Sequence, residues 1–189
     1  MEHGSCYPAW LYERMSDNPA VRICSQNRGS LPLSSIIQEA LVIAQSYKEK
    51  KRGILVVKQS LYQAQLLYER LSVFLSQEEC ALFGADESLR VETIASSPEM
   101  TAMKVETMAS LLNHPDQVVV TCPSALIRFL PLPEDFLAGC VDIHTGMQLN
   151  MNELKRILVA GGYRQTSHID QPLTFACRGG IVDVYSINY

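Results

Sequence analysis

The stretch Ile54-Leu55-Val56-Val57 decides the fold. It is wholly apolar and mostly β-branched, the pattern of a short strand covered on both faces, as in a parallel sheet. Val118-Val119-Val120-Thr121-Cys122 repeats that pattern, and residues 80–83 form another short strand. Helical segments lie between them. Ser60 with Gln63 makes a capping box before a helix with Ala64, Leu67, Leu71 and Phe74 at helical spacing. Ser97-Pro98-Glu99 places an N-cap, a first-turn proline and a first-turn acid ahead of a helix ending near Leu112. Its stripe of Met100, Met103, Thr107, Met108 and Leu111 reads as core filling. Strand and helix in this alternation predict right-handed crossovers and a mainly parallel sheet. Residues 84–96 are polar and irregular.

Upstream, residues 8–15 read as a short helix stopped at Ser16-Asp17-Asn18-Pro19, and Val21-Arg22-Ile23-Cys24 alternates like a strand. A loop with Gly29 and Pro32 leads to a strong helix over 35–49, whose Ile36, Ile37, Ala40, Leu41, Ala44 and Tyr47 share one face. Lys48, Lys50, Lys51 and Arg52 suit the negative end of its dipole, and Gly53 is placed to cap it.

Downstream, a helical turn over 125–129 is followed by Leu130-Pro131-Leu132-Pro133, whose prolines interrupt regular structure. A boundary there divides the chain into an α/β domain, 1–132, and a small α+β domain, 133–189. Residues 141–144 read as a strand. Asn150 with Glu153 caps a helix to Ala160 with Leu154, Ile157 and Leu158 on its apolar side, and Gly161-Gly162 ends it. Residues 163–169 and 173–177 form a hairpin about Asp170-Gln171-Pro172, and residues 181–185 are the last strand of an antiparallel sheet. The chain stops just after that strand, so the sequence is expected to be a piece of a longer one. It shows no internal repeat.

Hydrophobic content of 47% over 189 residues allows a sizeable core. A net charge of −4 argues against a general grip on nucleic acid. No apolar run approaches ~20 residues, so no membrane span or membrane partner is expected. The first residues, Met1-Glu2-His3-Gly4, lack the pattern of a signal peptide. Six cysteines without a CxxC pair read as buried free thiols of a cytoplasmic protein.

In a nucleotide-binding α/β domain the first strand leads through a glycine loop to a helix N-terminus that holds phosphate. Here that loop reads from Ser25 through Arg28-Gly29-Ser30 to Ser35. One glycine remains, no lysine reaches toward a terminal phosphate, and Pro32 removes an N–H. Ser34 and Ser35 are better read as helix caps. The loop is a degenerate phosphate site, and no catalysis, cofactor or metal is expected. His3, His114, His144 and His168 are scattered, the last two on strands, and Cys122 has no partner histidine in view. Glu134-Asp135 reads as a solvated loop pair. Asp183, between Val182 and Val184, points away from the core, either toward an arginine or to solvent. What remains is Arg178-Gly179-Gly180, between two strands, and Arg164 just after Gly161-Gly162.

Three further groupings carry a resemblance: Ile54-Leu55-Val56-Val57 with Leu61-Tyr62-Gln63-Ala64; Ser97-Pro98-Glu99-Met100 leading to Leu111-Leu112; and residues 146–164 followed by Arg178-Gly179-Gly180-Ile181-Val182-Asp183-Val184-Tyr185. In this order, from about Val21 to Tyr185, the chain resembles the N-terminal, UvrB-like part of the bacterial transcription-repair coupling factors, the Mfd family. The resemblance implies a RecA-like domain with a degenerate phosphate loop and a small domain that binds UvrA. It implies a non-enzymatic adaptor that recruits UvrA to stalled transcription. The family's ATP-dependent DNA translocase and its contacts with RNA polymerase and double-stranded DNA would lie in domains absent here. Arg178, with Gly179 and Gly180, matches the family's UvrA contact, and Arg164 matches an arginine used for that contact in UvrB. Ala176 departs from UvrB, which has an arginine there, and further contacts belong to a strand beyond Tyr189. The alternative reading is a UvrB-like DNA-binding, helicase-related subunit, which the missing phosphate-loop lysine disfavours.

Overall fold

The computed structural model describes residues 8–26, 29–84, 98–127 and 129–186. The elements run Ala9–Ser16 (α1), Pro19–Ser25 (α2), Ile36–Lys50 (α3), Ile54–Val57 (β1), Leu61–Leu71 (α4), Cys80–Phe83 (β2), Pro98–Asn113 (α5), Val118–Thr121 (β3) and Pro123–Leu126 (α6). They continue with Pro133–Ala138 (α7), Met151–Ala160 (α8), Arg164–Gln165 (β4), Thr174–Arg178 (β5) and Ile181–Tyr185 (β6). Contacts divide the chain into two units, Met1–Thr93 with Thr107–Arg128, and Ile94–Glu106 with Phe129–Tyr189.

The first unit holds the parallel sheet, in the order β1-β3-β2. Its register places Ile54 and Cys80 on either side of Val118, and Val57 and Phe83 on either side of Thr121. β3 is the central strand and is wholly buried, as its run of valines predicts. β2 is buried too. β1 is not covered on both faces as expected: Leu55 and Val57 are 60% and 48% exposed. It is an edge strand, and the cover over Val119 and Phe83 on the same face does not extend to Leu55 and Val57. A cluster of Phe83, Val119, Cys122 and Ala125, with Leu61, Met108 and Leu111 against it, packs beside the sheet. Met108 and Leu111 therefore fill core, as read from the sequence, and Thr107 donates to the Leu82 carbonyl at 3.0 Å. Ser97, read as an N-cap, and most of the polar stretch 84–96 lie outside the described residues.

The segment read as a first strand, Val21 to Cys24, is helix α2. α1 stops at Ser16 as expected, and Asn18 and Pro19 also start the next helix: the Asn18 side chain accepts from the Ala20 N–H at 2.9 Å, and Pro19 sits in the first turn. The alternating apolar residues then serve a helix face, and Val21 is buried as α2 packs on α3. α3 itself is buried over most of its girth from Val42 to Tyr47, while Ile37, placed on its apolar face, is exposed. Its C-cap is Lys51, in left-handed backbone with φ 45°, rather than Gly53. Gly53 answers a different need, since a Cβ there would meet the Pro115 carbonyl oxygen at 3.0 Å.

In the second unit the sheet order is β4-β5-β6. β5 and β6 are antiparallel as expected. β4 is two residues long and pairs parallel with β5, so 163–169 and 173–177 are not a hairpin. Residues 141–144, expected to be a strand, are exposed coil, because none of the described strands offers them a partner. His144 and His168 accordingly lie outside strands. Pro133 opens α7 with Glu134 and Asp135 in its first turn, where acids suit the helix dipole, so that pair is not in a loop. α8 forms as predicted, its Asn150 side chain accepting from the Asn152 and Glu153 N–H groups.

Charge holds the C-terminal end of α3 to the turn before β2. Glu79 takes both oxygens to Lys48 at 2.8 Å, and also accepts from Lys51 and the Ser76 N–H at 3.1 Å. Burial pushes the Glu79 carboxyl up, but the bonds from Lys48, Ser76 and Lys51 outweigh it and hold it below its ordinary value. A depressed carboxyl adds stability above its unfolded-state range and loses it as pH falls through the folded-state value. Glu79→Gln should cost about 2 kcal/mol at pH 7. Thermal melts should show the gap to wild type closing as pH is lowered past about 4; a gap of constant size would contradict this role for Glu79.

Candidate docking site

Arg178 is the last residue of β5 and pairs with Ile181 at the first position of β6. Gly179 and Gly180 make the two-residue turn between them. Such a turn must twist with its strands, which calls for positive φ at its first central position. Gly179 supplies it with φ 60°. Gly180 is in ordinary backbone, and a Cβ there would meet nothing within 4 Å. The fold therefore needs the first glycine and does not need the second.

Side chains alternate along a strand, and directly paired residues share a face. Arg164 pairs with Thr174, so Arg164, Thr174, Ala176 and Arg178 lie on one face, with Tyr185, Asp183 and Ile181 opposite them on β6. Thr174 and Ala176 are buried, whereas Arg164, Arg178, Asp183 and Ile181 are exposed. The two arginines share this face but not a locus, since Thr174 and Arg178 are about 13 Å apart along the strand. Ile181 is 63% exposed beside Arg178, an apolar neighbour that the strand pattern alone did not single out.

The Arg178 Nη2 donates to the Ser167 carbonyl at 2.8 Å, across from the segment joining β4 to β5. Among the described residues its remaining N–H groups meet no acceptor, which leaves an edge of the planar fork open to a carboxylate. Asp183 faces solvent rather than an arginine: it is exposed and has no ion pair among the described residues. Arg164 is exposed, and its backbone N–H donates to the Leu173 carbonyl at 2.8 Å.

The phosphate-loop reading loses its strand. Gly29 and Ser30 lie, exposed, between α2 and α3, and Arg28 is outside the described residues. The mixed α/β class stands, but a RecA-like assignment does not follow from this sheet. Ser35 caps α3 as expected, accepting from the Gln38 N–H at 3.3 Å, and the Ser34 N–H donates to the Gln38 side chain. A crevice of about 330 Å³ lies there, lined by Ser34, Ser35, Glu39, Lys58 and Gln63 among others. Its cation is already matched, because Lys58 reaches both Glu39 oxygens at 2.9 Å. Of the cysteines read as buried thiols, Cys80 and Cys122 are buried, but Cys24 and Cys177 are half-buried and Cys140 is exposed; burial pushes the Cys80 thiol up to about 12, and Cys122 lies against the Ser124 hydroxyl at 3.1 Å. Among the described residues no cluster of metal-ligand side chains forms, and no helix is long and apolar enough to cross a membrane.

Comparison with known proteins bears on the same end of the chain. Residues 141–189, which include both arginines, match the UvrB interaction domain family. The chain is 29% identical over 139 residues, 74% of its length, to a transcription-repair-coupling factor of Bacillus subtilis (strain 168). It is 24% identical over 149 residues to the factor of Staphylococcus haemolyticus (strain JCSC1435), and 23% over 146 residues to that of Staphylococcus aureus (strain bovine RF122 / ET3-1), 79% and 77% of the chain. It spans only 12%, 13% and 12% of the length of these three relatives. The chain is thus similar to the transcription-repair-coupling factors over about three quarters of its length, and its residues 141–189 are similar to the UvrB interaction domain.

Proposed function

We propose that the β4-β5-β6 unit is a docking module for UvrA, and that the chain is the part of a transcription-repair-coupling factor that recruits UvrA to stalled transcription. The observation that carries this reading is the open edge of the Arg178 fork at the tip of a rigid hairpin, inside the residues that match the UvrB interaction domain. An arginine so placed is a strong anchor for a partner carboxylate, and exposed Ile181 beside it supplies apolar contact. Arg164, farther along the same face, is a second anchor. Gly180 supports the reading, since its lack of a side chain answers no need of the fold and leaves the tip bare for close approach.

In this reading the chain is an adaptor with no chemistry of its own. The parallel-sheet domain, residues 1–132, is a scaffold related to RecA-like domains, and residues 133–189 do the docking. Arg28, Gly29 and Ser30 mark where a phosphate loop has been lost. The pairing of Lys58 with Glu39 at the head of α3 supports this, because the cation that would meet a phosphate there is already neutralised. RNA polymerase and double-stranded DNA would be met by parts of the longer protein.

Titration of UvrA into wild type and Arg178→Ala tests the assignment. Loss of one partner of such a charged contact costs roughly 2–5 kcal/mol, so the variant should bind at least about tenfold more weakly; equal affinities would remove Arg178 from the interface. Gly180→Ala should melt like wild type yet bind UvrA less tightly. Gly179→Ala should lose about 1–2 kcal/mol of stability for its left-handed backbone. A calorimetric melt of both variants separates the two roles. ATP or ADP should leave the melting temperature of the wild-type chain unchanged; an upward shift would mean the nucleotide site is alive.

A further inference from the structure

The segment 166–173, between β4 and β5, is exposed at Ser167, His168, Asp170 and Gln171, yet it is tightly tied. The Thr166 hydroxyl donates to the His168 carbonyl at 2.7 Å, and the Thr174 hydroxyl to the Gln171 carbonyl at 2.6 Å. The Thr166 N–H donates to the Phe175 carbonyl at 2.9 Å, and the Leu173 N–H to the Tyr185 carbonyl at 3.2 Å. Arg178 adds a bond from outside, to the Ser167 carbonyl at 2.8 Å. Leu173 is held in left-handed backbone with φ 62°, a conformation a bulky side chain adopts only when its surroundings impose it.

Thr166, Ile169, Pro172 and Leu173 are half-buried, but ordering the exposed residues between them costs conformational entropy that burial does not offset. A loop ordered beforehand does serve binding, because the partner then need not order it. Three side chains spend hydrogen bonds on this loop, and one of them is the arginine at the hairpin tip. We propose that loop 166–173 is the second half of the docking surface, and that Arg178 is its positioning residue as well as a contact. One Nη group holds the loop while the open edge of the same guanidinium faces the partner. The surface that fits presents a carboxylate to Arg178 and, next to it, a cation or N–H groups for Asp170. This rests on the UvrA-docking reading, and it names the region of this chain that UvrA would cover beyond the hairpin.

Lysine could serve only one of these two duties. A lysine keeps a donor for the Ser167 carbonyl but loses the planar fork, so the two duties of Arg178 can be separated. Backbone NMR relaxation on the 189-residue chain reads the first duty, and UvrA titration reads the second. In wild type the amides of Ser167, His168, Ile169 and Asp170 should have order parameters near about 0.85, falling below about 0.6 in Arg178→Ala and in Thr166→Val. Arg178→Lys should keep the loop ordered while binding UvrA at least about tenfold more weakly. Thr166→Val leaves the arginine intact and should weaken UvrA binding by about threefold to tenfold. The clamp is overturned if the loop is as rigid in Arg178→Ala as in wild type, and the loop's place in the surface is overturned if a loosened Thr166→Val loop binds UvrA normally. If wild type itself fails to bind UvrA, the docking reading falls and the surface with it, whereas normal binding by a chain whose loop ignores Arg178 removes the clamp alone.

Discussion

The double pairing of β3 is the constraint on which the parallel-sheet unit depends. Each residue of Val118–Thr121 is matched on one side by β1 and on the other by β2, and the strand has no exposed face. Moving it by one residue would break two ladders at once and turn every side chain to the opposite face, into packing made for its neighbour. Everything packed against it inherits that register. The helices need only close over a sheet whose centre is already determined, which is why so small a sheet can organise α3, α4 and the helical end of α5. The Glu79 cluster then ties the end of α3 to the entrance of β2.

Much of this was legible in the residues because burial leaves a direct mark. Val118-Val119-Val120 could hardly be anything but a covered strand, and the Ser35, Ser60 and Asn150 caps act where they were read. The same signal fails where apolar character and pairing part company. Ile54-Leu55-Val56-Val57 is as apolar as β3 but lies at an edge, and residues 141–144 alternate like a strand without a strand beside them. Asn18-Pro19 ends one helix and begins the next, and the two events use the same residue types, so a stop and a start look alike. The parallel pairing of β4 with β5 has no local signature, because nothing in residues 163–177 distinguishes a hairpin from a loop that doubles back.

The site divides in the same way. The turn chemistry of Gly179-Gly180 and the charge of Arg178 are properties of the residues themselves and could be read directly. The Ser167 carbonyl could not, since any residue would offer the same atom and only the fold brings it to Arg178. Nor did the alternation in β6 mark Ile181 as exposed, because that depends on which face the rest of the unit leaves open. A degenerate phosphate loop was read from missing residues, but the strand that would lead into it is helix α2. The pairing of Lys58 with Glu39, partners nineteen residues apart, is a feature that no motif encodes.

β5 has a further consequence as a ruler. It is buried at Thr174, Phe175 and Ala176 and paired with β6 along its whole length, so it cannot shorten or stretch. Arg164 is fixed beside one end and Arg178 at the other, about 13 Å along the strand. Any protein that engages both must carry its acids at a matching separation, and one with the right charges at the wrong spacing can satisfy only one end. Selectivity of this kind would be set by length rather than by the strength of either contact, and it would reside in the buried part of the strand, Thr174 to Ala176, whose side chains never need to touch the partner.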